Sequence, residues 1–400
     1  MKVCLITPLF DPWAIGGAER YTATLAHALS KDHEVIVITT AGPTSRIRSQ
    51  PKDNPDIIEI KTKNVCSIYD YVTKFSSAGL AKKSIWHILD IWNPFIFVSI
   101  RQIIMREKSD IVHTNGVKGF SGSLFSAIKN VPHVLTMHDY ELISPWAVLF
   151  RSGAPISRFN FLERMFTNYM RKMSSTIDAA ISPSKFVLDM HLHHGFFKEI
   201  PRYVVPNGNI ARDNVPSKNF SPDLVYLGQV TESKGLHVAV QAFKKLHNPT
   251  ARFHIIGTGP YMSTLKHLAA QDHRIIIYGY IQDQSSINEV LNKCSYFVFP
   301  SIWYENFPLV INEMMNQGLP VIASNIGGVP EIVKHSYNGF LVRPNNVEDL
   351  VSVLDLVMTN ENLVTQMSKN AIESSKKFPV EKNVEQILEI YHRHLRKKNR

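Results

Sequence analysis

Short β-branched runs alternate with helical spacing along this whole chain, and that alternation leaves few folds open. The runs are Val3–Thr7, Glu34–Thr39, Ile111–His113, His133–Met137, Ala179–Ser182, Tyr203–Pro206, Leu224–Leu227, Arg252–Ile256, Arg274–Tyr278, Tyr296–Phe299 and Pro320–Ala323. They are apolar almost throughout, which is the pattern of strands buried on both faces of a parallel sheet with helices on each side. At 400 residues the chain is too long for one ordinary core, so two doubly wound α/β domains of roughly 150–200 residues are expected. Periodicity lapses between Asn207 and Asp223, where Asn, Gly, Pro and Ser cluster, and the hinge is placed there. The expected division is 1–208, 209–377, and a C-terminal helix over 378–400 with apolar spacing at Val384, Ile387, Leu388, Tyr391 and Leu395 that returns to the first domain. Doubly wound sheets bind ligands beyond the carboxyl ends of their strands, so the site is expected in the cleft where the two face each other.

Composition narrows the chemistry. Cys4, Cys66 and Cys294 lie far apart with no C-x-x-C spacing, and the 17 histidines include no H-E-x-x-H; neither a disulfide scaffold nor a metal site is expected. The opening apolar run is broken by Pro8 and Asp11, too short for a leader or a span, which points to a cytoplasmic protein. Ile85 to Met105 is interrupted by Asp90, Asn93, Pro94 and Arg101, so it is not expected to cross a bilayer, although it could lie on one. The net charge of +10 suits anionic lipid, acidic substrates or nucleic acid alike. Without an RNP-like aromatic motif or zinc-finger spacing, nucleic acid is not expected. Five Lys or Arg among the last eight residues read as a solvated helix end.

The chemistry concentrates between Trp303 and Glu331. Pro308 suits the first position of a helix and Gly318 the residue past its end, predicting a helix over 308–317 with Glu305 before it and Glu313 inside it. The N–H groups of Leu309 and Val310 then lack intrahelical partners and form an anion site, which a phosphate would fill. The two carboxylates beside it suit hydrogen bonds from ligand hydroxyls. Taken alone, each reads equally well as a solvated charge. Gly16 and Gly17 follow the first strand and open a helix, and Lys234 stands beside Gly235 where it can meet a diphosphate as a point charge. Gly257 and Gly259 also follow a strand, but Met262 holds the third glycine position, against a dinucleotide fingerprint. His138 and Asp139 end one strand and His113 another, all on the side where ligands bind.

These residues resemble the family-four retaining glycosyltransferases of the GT-B fold over essentially the whole chain. The most specific match is Glu305-Asn306-Phe307-Pro308-Leu309-Val310-Ile311-Asn312-Glu313, two glutamates separated by seven residues, continued by Gly327-Gly328-Val329-Pro330-Glu331. The resemblance implies that Glu313 bonds the ribose of a nucleotide sugar, Glu305 the hydroxyls of the transferred sugar, and Lys234 the diphosphate. It also implies donor contacts from Gln229, from Asn306 through Val310 by way of the amides after Phe307, and from Gly16 and Gly17 closing over the phosphates. His138 would lie near the anomeric carbon, with His113, Asp139 and Asn207 as candidate sugar or acceptor contacts. No cofactor or metal is implied beyond the nucleotide sugar as co-substrate.

The implied reaction moves a hexose-type sugar from a UDP- or GDP-sugar to an acceptor hydroxyl with retention, in cell-envelope or extracellular polysaccharide or glycolipid synthesis. Gln229 departs from the pattern, standing where an arginine is usual five residues before the lysine, and Asn209 stands where an acid is common. The implied partners are the donor and a saccharide or lipid-linked acceptor, with an anionic membrane at the inner face of the plasma membrane as a candidate contact; the aromatic and basic segment 143–172 reads equally well as meeting a lipid-linked acceptor there and as amphipathic helices packing on the sheet. An epimerase or phosphorylase of the same fold, or a binding protein without turnover, are the alternative readings.

Overall fold

The computed structural model describes all residues except 43–53, 75–79, 152, 157, 211–214, 216–219 and 399–400. Most of the expected hinge, and the last two residues of the basic tail, lie outside the described residues. The chain divides into two compact units: 1–149 with 157–208 and 380–400, and 150–156 with 209–379.

The first unit is built on a parallel sheet of seven strands: β1 (Lys2–Thr7), β2 (Glu34–Thr40), β3 (Asp56–Ile60), β4 (Ile111–Thr114), β5 (His133–Thr136), β8 (Ala179–Ser182) and β9 (Arg202–Val204). They lie in the order β3-β2-β1-β4-β5-β8-β9. The second unit holds β10 (Leu224–Leu227), β11 (Phe253–Ile256), β12 (Ile275–Gly279), β13 (Tyr296–Phe299), β14 (Val321–Ser324) and β15 (Gly339–Val342), in the order β12-β11-β10-β13-β14-β15. It also includes a small antiparallel hairpin, β6 (Phe150–Arg151) and β7 (Ala154–Pro155). Each of the eleven expected strands is present. Those missed have physical reasons: β3 is an edge strand carrying Asp56 and Glu59, β15 starts on a glycine, and the hairpin is only two residues a side with a proline in it. The hairpin sits in the second unit, where Phe150 packs against that unit's hydrophobic core.

In both sheets strand order reverses direction at one point, between β1 and β4 in the first and between β10 and β13 in the second. Loops leaving adjacent strands there diverge and open a crevice at the carboxyl ends.

The apolar stretch 84–107 is long and apolar enough by composition to be a candidate membrane span. Here it is two helices, Leu80–Ile91 and Pro94–Glu107, broken at Asn93. Asn93 caps the second helix, its Oδ1 accepting from the N–H groups of Phe95 and Ile96, while its Nδ2 donates to the Thr62 carbonyl at 2.8 Å. Trp86, Ile96, Ile100, Ile103 and Ile104 are buried in the first unit.

The C-terminal helix spans Val380–Lys398 and belongs to the first unit. Tyr21 donates to Asn383 Oδ1 at 3.0 Å, and Asn383 Nδ2 donates to the Pro206 carbonyl at 2.7 Å. Further along, the Tyr391 hydroxyl lies 2.7 Å from His113 Nδ1, and Thr136 Oγ1 lies 2.6 Å from His113 Nε2. Burial holds His113 and His133 far below the usual histidine range, each at about 3.

These histidines make acid sensitivity predictable. Their folded pKa lies below the unfolded value, so between about pH 3 and 6.5 the unfolded chain binds more protons. The stability they contribute is complete above about pH 6.5 and declines as pH falls, by up to about 1.4 kcal/mol per pH unit for each histidine. Urea midpoints measured from pH 7 to pH 4.5 should fall, and His133→Asn should flatten that slope; an unchanged slope would mean His133 is already protonated in the fold.

Candidate functional site

In the second unit, the segments after β10 and β13 bring together a buried carboxylate and a lysine. Lys234 ends a short 3-10 turn, Glu232–Lys234, after β10. Gly235 follows with φ of 69°, where a Cβ would lie 2.0 Å from the Pro300 carbonyl oxygen. Only glycine permits this approach, which brings Lys234 against the loop leaving β13. Glu305 lies on that loop and is 4% exposed. Its Oε1 accepts from Lys234 Nζ at 2.6 Å, Ser301 Oγ at 2.7 Å and Trp303 Nε1 at 2.6 Å. Three donors, one of them a cation, compensate for taking this carboxylate out of water.

The Glu305 backbone is fixed as well. Its carbonyl accepts from Gly328 N–H at 2.7 Å, and a Cβ on Gly327, whose φ is 61°, would lie 2.2 Å from that same oxygen. Gly327 is thus a steric requirement of Glu305, and Gly328 adds a backbone hydrogen bond.

The helix after Glu305 is shorter than expected. It spans Leu309–Met315, and Pro308 is its N-cap with ψ of 107° rather than its first turn. The Pro308 carbonyl accepts from Ile311, and Met314 and Met315 carbonyls are already used by Gln317 and Gly318 in a tighter turn. Gly318 takes φ of 74°, the left-handed conformation that ends the helix. Leu309 and Val310 form the first turn, where N–H groups precede the helical bonding pattern. Glu313 is half-buried on this helix, and Asn306 is half-buried before it. Phe307 is corrected to a core residue: it is buried with its ring edge-on to Phe378 at 5.3 Å, so its side chain is unavailable to a ligand. Gln229 is exposed, and its carbonyl accepts from the Tyr226 hydroxyl at 2.7 Å.

In the first unit, Gly16 and Gly17 begin the helix after β1. The Gly16 N–H donates to Glu19 Oε2 at 3.0 Å, so the first amide expected for an anion is held by the chain's own carboxylate. Burial raises the Glu19 carboxyl above its ordinary range. His138 follows β5, with Nε2 3.1 Å from Asn115 Oδ1 and its ring 5.0 Å from that of Tyr21. Burial lowers it to about 3, so its imidazole is neutral near pH 7. His113, expected to face a ligand, is corrected to a structural residue because both ring nitrogens are engaged within the core and it is fully buried. Asp139 accepts from the Glu141 N–H at 2.7 Å. Asn207 is buried, and its Oδ1 has no hydrogen-bond donor among the described residues.

Beside Asp139 lies a polar group that the motifs did not reveal. Glu141 accepts from the Val117 and Lys118 N–H groups, and burial followed by repulsion from Asp139 raises its carboxyl strongly. Burial lowers Lys118, against attraction from Asp90, Asp139 and Glu141. Sequence offered little signal here, since these residues come from two separated loops and a helix. Ser301 and Trp303 were more accessible: both lie within four positions of Glu305 on a loop with no helical spacing. Among the described residues, no three His, Cys, Asp or Glu side chains are grouped to hold a metal ion.

Gly327→Ala should force the Glu305 backbone to move and destabilise the second unit by about 1–4 kcal/mol, measured by urea denaturation. A loss below about 0.5 kcal/mol, the scale of an ordinary surface change, would show that the close approach is not required.

Comparison with known proteins agrees along the chain. The family description "Glycosyltransferase Family 4" matches residues 15–209 and "Glycosyl transferases group 1" matches residues 209–374. A 42.6 kDa protein of the cps region in Klebsiella pneumoniae is 26% identical, over 88% of this chain and 92% of its own length. The UDP-Gal:alpha-D-GlcNAc-diphosphoundecaprenol alpha-1,3-galactosyltransferase of Escherichia coli is 27% identical, over 74% of this chain and 78% of its own. Among solved structures, Anabaena HepE in complex with UDP-glucose aligns with a TM-score of 0.71 at 17% identity, covering 98% of this chain and 99% of that one.

Proposed function

We propose, from the premise that this GT-B-fold chain belongs to the group 1 glycosyltransferases of family 4, that it transfers a hexose-type sugar from a UDP- or GDP-sugar to an acceptor hydroxyl. The observation that carries this reading is the convergence of Lys234, Ser301 and Trp303 on Glu305, four residues before an open helical first turn. The UDP-Gal and UDP-glucose named for the two comparison proteins support a uridine nucleotide. The diphosphoundecaprenol in the galactosyltransferase's name supports an acceptor in polysaccharide or glycolipid assembly.

On this reading, Glu305 accepts hydrogen bonds from the hydroxyls of the bound sugar and Glu313 from the ribose. The amides of Leu309 and Val310 and the Lys234 ammonium stabilise charge developing on the leaving diphosphate. An ammonium has three N–H groups, so donation to Glu305 does not exhaust Lys234. Transfer proceeds with retention and without a divalent metal, and neutral His138 donates or accepts a hydrogen bond near the reacting carbon.

Thermal stabilisation by UDP, GDP, ADP and their sugars tests the donor, since the shift follows the ratio of ligand to Kd. One nucleotide sugar should shift the midpoint selectively, with or without EDTA; no shift with any of them would overturn donor binding, and donor binding without consumption would favour a non-catalytic protein. Glu305→Gln tests the site with little risk to the fold, because an amide oxygen can still accept from Lys234, Ser301 and Trp303. It should lower turnover by about 10²-fold or more while the unfolding midpoint holds. Wild-type turnover in that variant would remove Glu305 from the reaction.

A further inference from the structure

The helix Val380–Lys398 buries a stripe at Asn383, Ile387, Ile390, Tyr391 and His394 within the first unit. The first of these positions holds an amide where the stripe calls for an apolar side chain. A buried amide is unfavourable unless its donor and its acceptor both find partners, and here each does. Asn383 Oδ1 accepts from the Tyr21 hydroxyl at 3.0 Å, and its Nδ2 donates to the Pro206 carbonyl at 2.7 Å. The segment after Pro206 lies close against the helix: a Cβ on Gly208 would come 2.6 Å from Val380 Cα and 3.0 Å from Asn383 Cβ. Backbone on one side and a hydroxyl on the other therefore fix the Asn383 side chain.

Tyr21 carries the constraint onward. It stands on the helix Gly17–Leu29 and is buried, so its ring cannot turn without disturbing packed neighbours. That ring lies 5.0 Å from the ring of His138, tilted at 56°. On another side, Asn115 Oδ1 lies 3.1 Å from His138 Nε2. The same C-terminal helix also reaches the strand that carries His138: Tyr391 meets His113 Nδ1, and His113 Nε2 meets Thr136, two residues before it. A histidine beside a reacting carbon must keep one orientation and one tautomer, and it does so only where the groups around it are themselves locked.

We infer that Asn383 and Tyr21 are positioning residues for His138, the C-terminal helix setting the orientation of the imidazole through one amide and one hydroxyl. The inference rests on the proposed role of His138, and the experiment separates the two. Turnover is followed as release of nucleoside diphosphate from the nucleotide sugar selected by thermal stabilisation, with water as acceptor. Asn383→Leu and Tyr21→Phe are compared alone and in the His138→Ala background, with Glu389→Gln, exposed on the same helix, as control. Each single variant should lower kcat at least about tenfold with donor KM unchanged, since a displacement of about 1 Å at a reacting group costs up to about 10²-fold. In the His138→Ala background neither should lower kcat further, the non-additivity expected of residues that act through one group. The imidazole NMR signal absent from His138→Ala should also move in both single variants, a readout that needs no turnover. Tyr21→Phe retains the ring, so it decides the matter where circular dichroism shows Asn383→Leu to be poorly folded. Equal losses of kcat in both backgrounds would mark a merely structural role and overturn the inference. So would an unmoved His138 signal, or a raised donor KM with kcat intact, which would assign Tyr21 to the turn at Gly16 and Gly17. Full activity in His138→Ala would overturn the role of His138 itself, and the inference with it.

Discussion

The burial of one carboxylate organises the ligand-facing end of the second unit. Glu305 is 4% exposed, and a carboxylate so placed is strongly destabilising unless donors converge on it. The donors come from both strands flanking the point where sheet order reverses: Lys234 from the turn after β10, and Ser301 and Trp303 from the loop after β13. The Gly327–Gly328 turn after β14 clamps the same residue by its backbone. The motif reads as two separate blocks in sequence, yet the second block shapes the space in which the first is held.

The corresponding end of the first unit has the opposite character. There the polar groups are desolvated rather than paired into one strong ion pair: His138 is neutral, Glu19, Asp139 and Glu141 are raised by burial, and Lys118 is lowered. Burial moves each of these groups toward its uncharged form. The second unit concentrates charge where a phosphate would come. Topology supplies both crevices, and side-chain chemistry makes them different.

Much of this was legible because it depends on local pattern. Buried parallel strands announce themselves as short apolar runs, and Pro308 and Gly318 bracket a helix by properties of single residues. The reading failed where a tertiary constraint prevailed. Pro308 became a cap rather than a first helical residue. His113 looked like a strand-end ligand, but Tyr391, 278 positions away, closes over it. Phe307 stands within the motif but is drawn into the core by Phe378. The partners of Glu141 and Lys118 lie on separated loops and a helix, and no spacing rule joins them. The apolar stretch 84–107 was legible as interrupted, but only the folded helices show which of its faces points outward.

The substitution at Gln229 gives the ion pair further weight. Gln229 is exposed and uncharged, so on the proposed reading position 229 brings no guanidinium to the donor phosphates. Lys234 must then serve two anions, the Glu305 carboxylate it already contacts and the incoming diphosphate. A phosphate that draws the ammonium toward itself weakens one of the three bonds on Glu305 Oε1 while Ser301 and Trp303 still hold it. That carboxylate, left richer in negative charge, becomes a stronger acceptor for sugar hydroxyls. Diphosphate and sugar binding would therefore reinforce each other through a single lysine, a coupling that two independent cations would dilute.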